Sequence, residues 1–201
     1  MSVQSILNYN ITARIPIILY ASHNDFQQTN VINIYLSQGI GGVTELFKNR
    51  IVIPFQGNYA QFRHVLHHEL VHGIINDMFY GGNFQSAVTT QGISQVPLWV
   101  NEGLAEYESL GGLDFDTDMY MRDLVINETI PPLRMTSGYN AYRIGQMFFY
   151  FIEQRYGKQK ITEFLNKLKL FRGIEVTFQN TFGMSLDDFS EMFQTEIKRI
   201  Y

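Results

Sequence analysis

The string His67-His68-Glu69-Leu70-Val71-His72-Gly73 sets two imidazoles and a carboxylate within five consecutive positions. On a helix, residues four apart project from one face about one turn apart. His68 and His72 can therefore meet a single ion at the zinc–nitrogen distance of about 2.0–2.1 Å. Glu69 sits beside the ion rather than on it, where it can take a proton from an attacking water. The imidazoles position a metal and the carboxylate moves protons, and hydrolysis needs both. His64 also lies four residues before His68, but no Glu follows it, so that pair would make a metal clip without a base. The plainer alternative is a His-rich surface helix, since such a string arises by chance in roughly one chain in a hundred of this length.

A catalytic zinc takes three protein ligands and keeps a fourth position for water. Downstream stands Trp99-Val100-Asn101-Glu102-Gly103-Leu104-Ala105-Glu106-Tyr107, and Glu102 is the candidate third ligand. Glu106 lies one turn further on the same face, placed to accept the second ring N–H of a zinc-bound histidine, His68 by preference. Asn101 joins it in the outer shell. Gly103 and Ala105 are small enough to let this helix approach the first closely. Two solvated carboxylates on an amphipathic helix would be the ordinary reading, but like charges at this spacing gain nothing from each other. They also stand among Leu98, Trp99, Val100 and Leu104.

The elements that position these residues begin as strands. Ile15-Pro16-Ile17-Ile18-Leu19-Tyr20 is a β-branched run closed by the polar Ser22-His23-Asn24-Asp25, and Asn49–Phe55 is a second. Pro54 places that second run at an edge or an end, with Gly39, Gly41 and Gly42 as a flexible turn between the two. From Tyr59 the period becomes helical: Phe62, Leu66, Leu70 and Ile74 fall four apart, and Gly81-Gly82 stops the helix. A second helix spans Pro97 to Ser109 before Gly111-Gly112. Others follow at Tyr139 to Tyr156, Lys158 to Phe171, and from the N-cap Ser185 to Tyr201. Strands first and helices after give an α+β class. The reading is one domain of residues 1–201, with a β-rich lobe of about 1–82 and a helical lobe of about 83–201.

Composition narrows the function. Charged residues make up 17% and apolar ones 45%, an ordinary globular balance. The net charge is −4 and the basic residues are scattered, which disfavours nucleic acid. Lys158, Lys160, Lys167 and Lys169 read as a solvated helix face. The absence of cysteine removes disulfides, thiolate metal sites and thiol catalysis. No run is long enough for a membrane span, and Met1-Ser2-Val3-Gln4 does not open a signal peptide. The 16 Phe and 12 Tyr can fill a core or line a groove.

The HExxH string with a downstream Asn-Glu-Gly-x-Ala-Glu resembles the gluzincin, thermolysin-like branch of the peptidase MA superfamily. Leu19–Asn30, Gly42-Val43-Thr44-Glu45 and Asn49-Arg50 resemble the peptidase-MA-like domain that precedes TolB-like β-propellers in bacterial proteins. The resemblance implies a zincin-like fold, a peptide or protein substrate, and a longer, exported parent chain carrying a C-terminal β-propeller. Tyr139-Asn140-Ala141-Tyr142-Arg143-Ile144-Gly145 is similar to the Tyr-x-x-Gly stretch of zinc aminopeptidases, which makes Tyr142 the donor to the oxyanion. Tyr142 as an ordinary helix aromatic is an equal reading, with Tyr139 as the substitute donor. The Gly-Ala-Met-Glu-Asn string that fixes a free N-terminus in aminopeptidases is missing. Glu45 stands roughly where it would meet an amine, and an extended peptide adding to an edge strand at Ile51–Phe55 is the more general possibility. That favours an endopeptidase over an exopeptidase. The rival reading is an inactive zincin-like binding or assembly module of a propeller-containing protein; a structural zinc site is weaker, since it would need a fourth ligand from His64 or His67.

Overall fold

The computed structural model describes residues 7–29, 31, 36–81 and 96–201. The chain divides into two compact units, Tyr9–Ile93 and Met1–Asn8 with Ser94–Tyr201. Among the described residues, strands occur only in the first and helices fill the second, an α+β architecture consistent with a zincin-like fold. No helix is long and apolar enough to cross a membrane among the described residues.

In the first unit, β1 (Ile17–Tyr20), a short helix α1 (His23–Gln27), β2 (Val43–Glu45), β3 (Arg50–Pro54) and the long helix α2 (Tyr59–Tyr80) follow in order. The sheet order is β1-β3-β2, with β1 parallel and β2 antiparallel to β3. Ile17 stands opposite Ile51, and Val43 opposite Val52. The central strand is thus β3, with Ile51, Val52 and Ile53 fully buried. A strand covered on both faces reads as an unbroken β-branched run, which is why its sequence does not disclose its position. The expectation that Ile51–Phe55 offers an edge is corrected: among the described residues the edges are β1 and β2. Pro54 is accommodated because it ends the strand.

Helix α1 occupies the stretch read as a strand terminator. Ser22 caps it, its hydroxyl accepting from the Asp25 amide at 3.1 Å and donating to the Asp25 carboxylate at 2.8 Å. Phe26 is thereby sunk against Leu36 and Val52, with Ile18, Tyr20 and Val43 packed around them.

Helix α2 starts where Asn58 Oδ1 accepts from the Ala60 and Gln61 amides, and ends at Gly81 in the left-handed conformation, φ 65°. Gly82, the other half of the expected stop and the expected lobe boundary, lies outside the described residues. Phe62, Leu66 and Leu70 are only half-buried. Burial instead surrounds the C-terminal half, taking in His68, Glu69, Val71, His72, Ile74, Ile75, Asp77 and Met78. Buried polar groups require partners, and Asp77 has them: it accepts from the Tyr9 hydroxyl at 2.9 Å and from the Thr12 amide and hydroxyl, each at 2.7 Å. Asn49 Nδ2 donates to the Gly73 carbonyl at 2.8 Å, binding the approach to β3 to the helix.

The second unit contains α3 (Leu98–Leu110), α4 (Phe115–Ile126), a 3-10 turn (Leu133–Met135), α5 (Tyr139–Tyr156), α6 (Gln159–Phe171), α7 (Ile174–Phe182) and α8 (Leu186–Ile200). Gly111 at φ 78° ends α3, and Ser185 caps α8 as the sequence indicates. Helices α3 and α5 cross at two glycines: a Cβ on Gly103 would stand 2.2 Å from the Gly145 carbonyl carbon, and one on Gly145 2.2 Å from the Trp99 oxygen. The small face of Gly103 therefore serves the close crossing with α5. Phe148, Phe149, Phe164, Phe178, Phe189 and Phe193 are fully buried, and edge-to-face contacts such as Phe148 on Trp99 join them. Burying each such ring stabilises the unit by roughly 1.5–3 kcal/mol. On the surface, Lys160 and Lys167 each meet Glu163 at 2.6 Å, the solvated face expected of that helix.

One acidic cluster lies apart from the sequence-derived candidates. The Tyr107 hydroxyl donates to Glu153, and Lys158 Nζ lies 5.6 Å above the Tyr107 ring. Burial pushes the neighbouring Glu108 carboxyl up to about 7, against the pull of Lys158 and with the push of Glu153. Its Oε1 is buried without a hydrogen-bond partner among the described residues.

Candidate metal centre and catalytic residues

His68 and His72 stand one turn apart on α2, both buried. Their Nε2 atoms are 3.1 Å apart and their rings meet edge to face, centroids 4.7 Å apart. Two nitrogens each about 2.0–2.1 Å from a tetrahedral ion stand about 3.3 Å apart, so this pair fits a shared ion. The His64 ring is 6.2 Å from that of His68. Residues able to hold a metal ion among those described include His64, His68 and His72 in the first unit and Glu102 and Glu106 in the second.

Glu69 is buried, and its Oε2 accepts from Thr44 Oγ1 at 2.6 Å. The same hydroxyl lies 2.9 Å from the Glu69 carbonyl oxygen; having one proton, it donates to one of these acceptors at a time. Thr44 belongs to β2, so the edge strand is fastened to α2 at the carboxylate that would act as base. The approach is close enough to require glycine two residues earlier. A Cβ on Gly42 would stand 2.8 Å from Val65 Cγ1 and 3.0 Å from Glu69 Cγ. Sequence reasoning passed over Thr44; its available signal was a hydroxyl residue just after a Gly-Gly pair, a place where backbones approach closely.

Successive strand residues face opposite ways, and Glu45 turns from α2 into the β2–β3 connection. Its carboxylate meets Arg50 Nη2 at 2.9 Å and accepts from the Phe47 amide at 2.6 Å and the Lys48 amide at 3.3 Å. The idea that Glu45 stands ready for a substrate amine is corrected by these contacts.

In the second unit, α3 carries Asn101 and Glu102 half-buried and Glu106 buried. Glu106 Oε2 is 3.8 Å from Arg143 Nη1 on α5. That guanidinium also lies 3.6 Å from Asp114, donates to Thr117 Oγ1 at 3.1 Å, and donates through Nε to the Tyr139 hydroxyl at 2.7 Å. Arg143 thus ties together α3, α4 and α5 around Glu106, a role no local pattern announces. Tyr139 is exposed and engaged by Arg143, whereas Tyr142 is half-buried, one turn before the Gly145 crossing.

A family model described as the peptidase MA superfamily matches residues 7–199. No curated protein and no solved structure matches the chain.

Proposed function

Because the chain belongs to the peptidase MA superfamily, we propose that it is a zinc-dependent peptidase of the gluzincin type with Glu69 as general base. Membership carries metallopeptidase-like character at the level of the family. The observation that supports the finer reading is the buried imidazole pair, Nε2 atoms 3.1 Å apart, with the Glu69 carboxylate adjacent on the same helix.

In this reading His68, His72 and Glu102 hold the ion, and two imidazoles with one carboxylate suit zinc. When bound, zinc supplies a Lewis acid that acidifies water and polarises a carbonyl. Glu69 takes a proton from the attacking water and delivers it to the leaving amine. Thr44, donating to Oε2, fixes the rotation of that carboxylate. Tyr142 donates to the oxygen that becomes negative as the carbonyl is attacked. Glu106, steadied by Arg143, accepts the second ring N–H of His68, with Asn101 beside it in the outer shell. The substrate is an extended peptide lying along the outer edge of β2. With Glu45 occupied by Arg50, an endopeptidase is favoured over an enzyme that grips a free N-terminus.

The test is zinc-loaded protein against Glu69→Gln, assayed for both metal content and turnover. Loss of turnover with zinc retained supports the reading; wild-type turnover in the variant contradicts it. Absence of turnover in zinc-loaded wild type would favour the binding or assembly module of a larger, propeller-containing protein.

A further inference from the structure

Helix α2 carries one metal-binding spacing that the catalytic reading does not use. His64, His68 and His72 recur every four residues and so share a face of the helix. The His64 and His68 rings meet edge to face with centroids 6.2 Å apart, and a ring nitrogen of one lies within 4.8 Å of a ring nitrogen of the other. His68 is thus the middle member of two overlapping pairs. The downstream pair, His68 and His72, is the tighter, with centroids 4.7 Å and Nε2 atoms 3.1 Å apart.

The two pairs differ in what stands beside the ion. Glu69 follows the first histidine of the downstream pair, and the residue in the same place for the upstream pair is Val65. Four residues of helix displace the ion by about 6 Å along the axis. That leaves Glu69 beyond an ion held by His64 and His68 and puts an isopropyl group next to it. Valine takes no proton, so a water on that ion has no base. A neutral imidazole has one nitrogen lone pair to give, and His68 cannot serve both pairs at once. An ion would therefore sit in one register or the other.

The upstream register has the same donor chemistry. Glu106 is also able to hold a metal ion, and the reading above turns it toward His68; two imidazoles and one carboxylate again suit zinc. His64 is half-buried whereas His68 and His72 are buried, so the upstream register is the nearer to solvent. Resting on the metal-centre reading above, we propose that His64, His68 and Glu106 form a second, hydrolytically silent zinc register one turn upstream. It is the weaker of the two, since its rings stand further apart. It takes the ion when the downstream set is incomplete and gives it up on dialysis.

The experiment measures zinc affinity at equilibrium, by competition with a chromophoric chelator, for the wild type, His64→Gln, His72→Ala and the double variant. His72→Ala should still take up one zinc, more weakly than the wild type. Adding His64→Gln should then weaken zinc by at least about tenfold, since even groups outside the ligand set are worth that much. The same change should cost the wild type less, the mark of coupling in a double-mutant cycle. Equal costs in the two backgrounds would overturn the register, and so would a folded His72→Ala chain that takes up no zinc. Circular dichroism checks the fold; if His72→Ala does not fold, the same cycle is run on Glu102→Ala, with the same outcomes deciding. The readout is metal rather than turnover, which separates this proposal from the peptidase reading. A wild type that binds zinc but cuts no peptide defeats that reading and leaves the register standing, whereas a wild type that binds no zinc removes both.

Discussion

At the residue scale, the His68-Glu69-His72 constellation is legible because a helix turns a local spacing into a shared face. The two Nε2 atoms at 3.1 Å are the consequence of that spacing. Thr44 is not legible in the same way, since its bond to Glu69 joins positions 25 residues apart. Glu45 misleads for a related reason: its type suits amine capture, but strand alternation turns it to Arg50. Replacing Thr44 with valine removes the hydrogen bond that orients Glu69. It should lower kcat about tenfold, roughly the worth of one hydrogen bond to a charged group, while leaving bound zinc at one equivalent. Thr44→Ser should restore most of the rate, and a valine variant with wild-type kcat would show that the contact does not orient the base. Glu102→Ala should instead lose zinc, read by metal analysis after dialysis; full retention would remove Glu102 from the ligand set.

At the element scale, caps and stops declared most helices. Gly111 closes α3, Ser185 opens α8, and α5 runs from Tyr139 to Tyr156 as its pattern indicates. Helices α4 and α7 were hidden because their buried faces include Thr117, Thr177 and Thr181 while Phe115, Ile126 and Val176 are exposed, which blurs the apolar period. The central place of β3 and the partner of Gly103 depend on tertiary neighbours that no local run names. Gly145→Ala should destabilise the protein by about 3 kcal/mol, the upper part of the overpacking range, measured by denaturant titration; an unchanged midpoint would contradict the close crossing. Glu108, also on α3, gives a pH signature. Its carboxyl is raised from 4.5 to about 7, so the folded state binds the proton more tightly than the unfolded chain. The stabilisation from this group is complete below about 4.5 and lost as the pH rises through about 7. Glu108→Gln should flatten that dependence and gain on the order of 2 kcal/mol at pH 8, measured by melting temperature across the range. A variant that keeps the wild-type slope would place the titration elsewhere.

At the scale of the whole molecule, the peptidase MA superfamily match spans residues 7–199, so the family's fold accounts for nearly the entire chain. A bound metal stabilises the folded state in proportion to the logarithm of its free concentration over Kd, about 2.7 kcal/mol at a hundredfold excess. Chelation should therefore lower the melting temperature by several degrees, and zinc should restore it. The central claim is that this chain hydrolyses peptide bonds through Glu69. The most direct measurement is cleavage of a diverse, internally quenched peptide library by zinc-loaded wild type and Glu69→Gln, each verified to hold one zinc. The account predicts internal cuts by the wild type and at least about a hundredfold loss in the variant, within the range for a general base. Equal cleavage by both proteins, or none by the wild type, would contradict it.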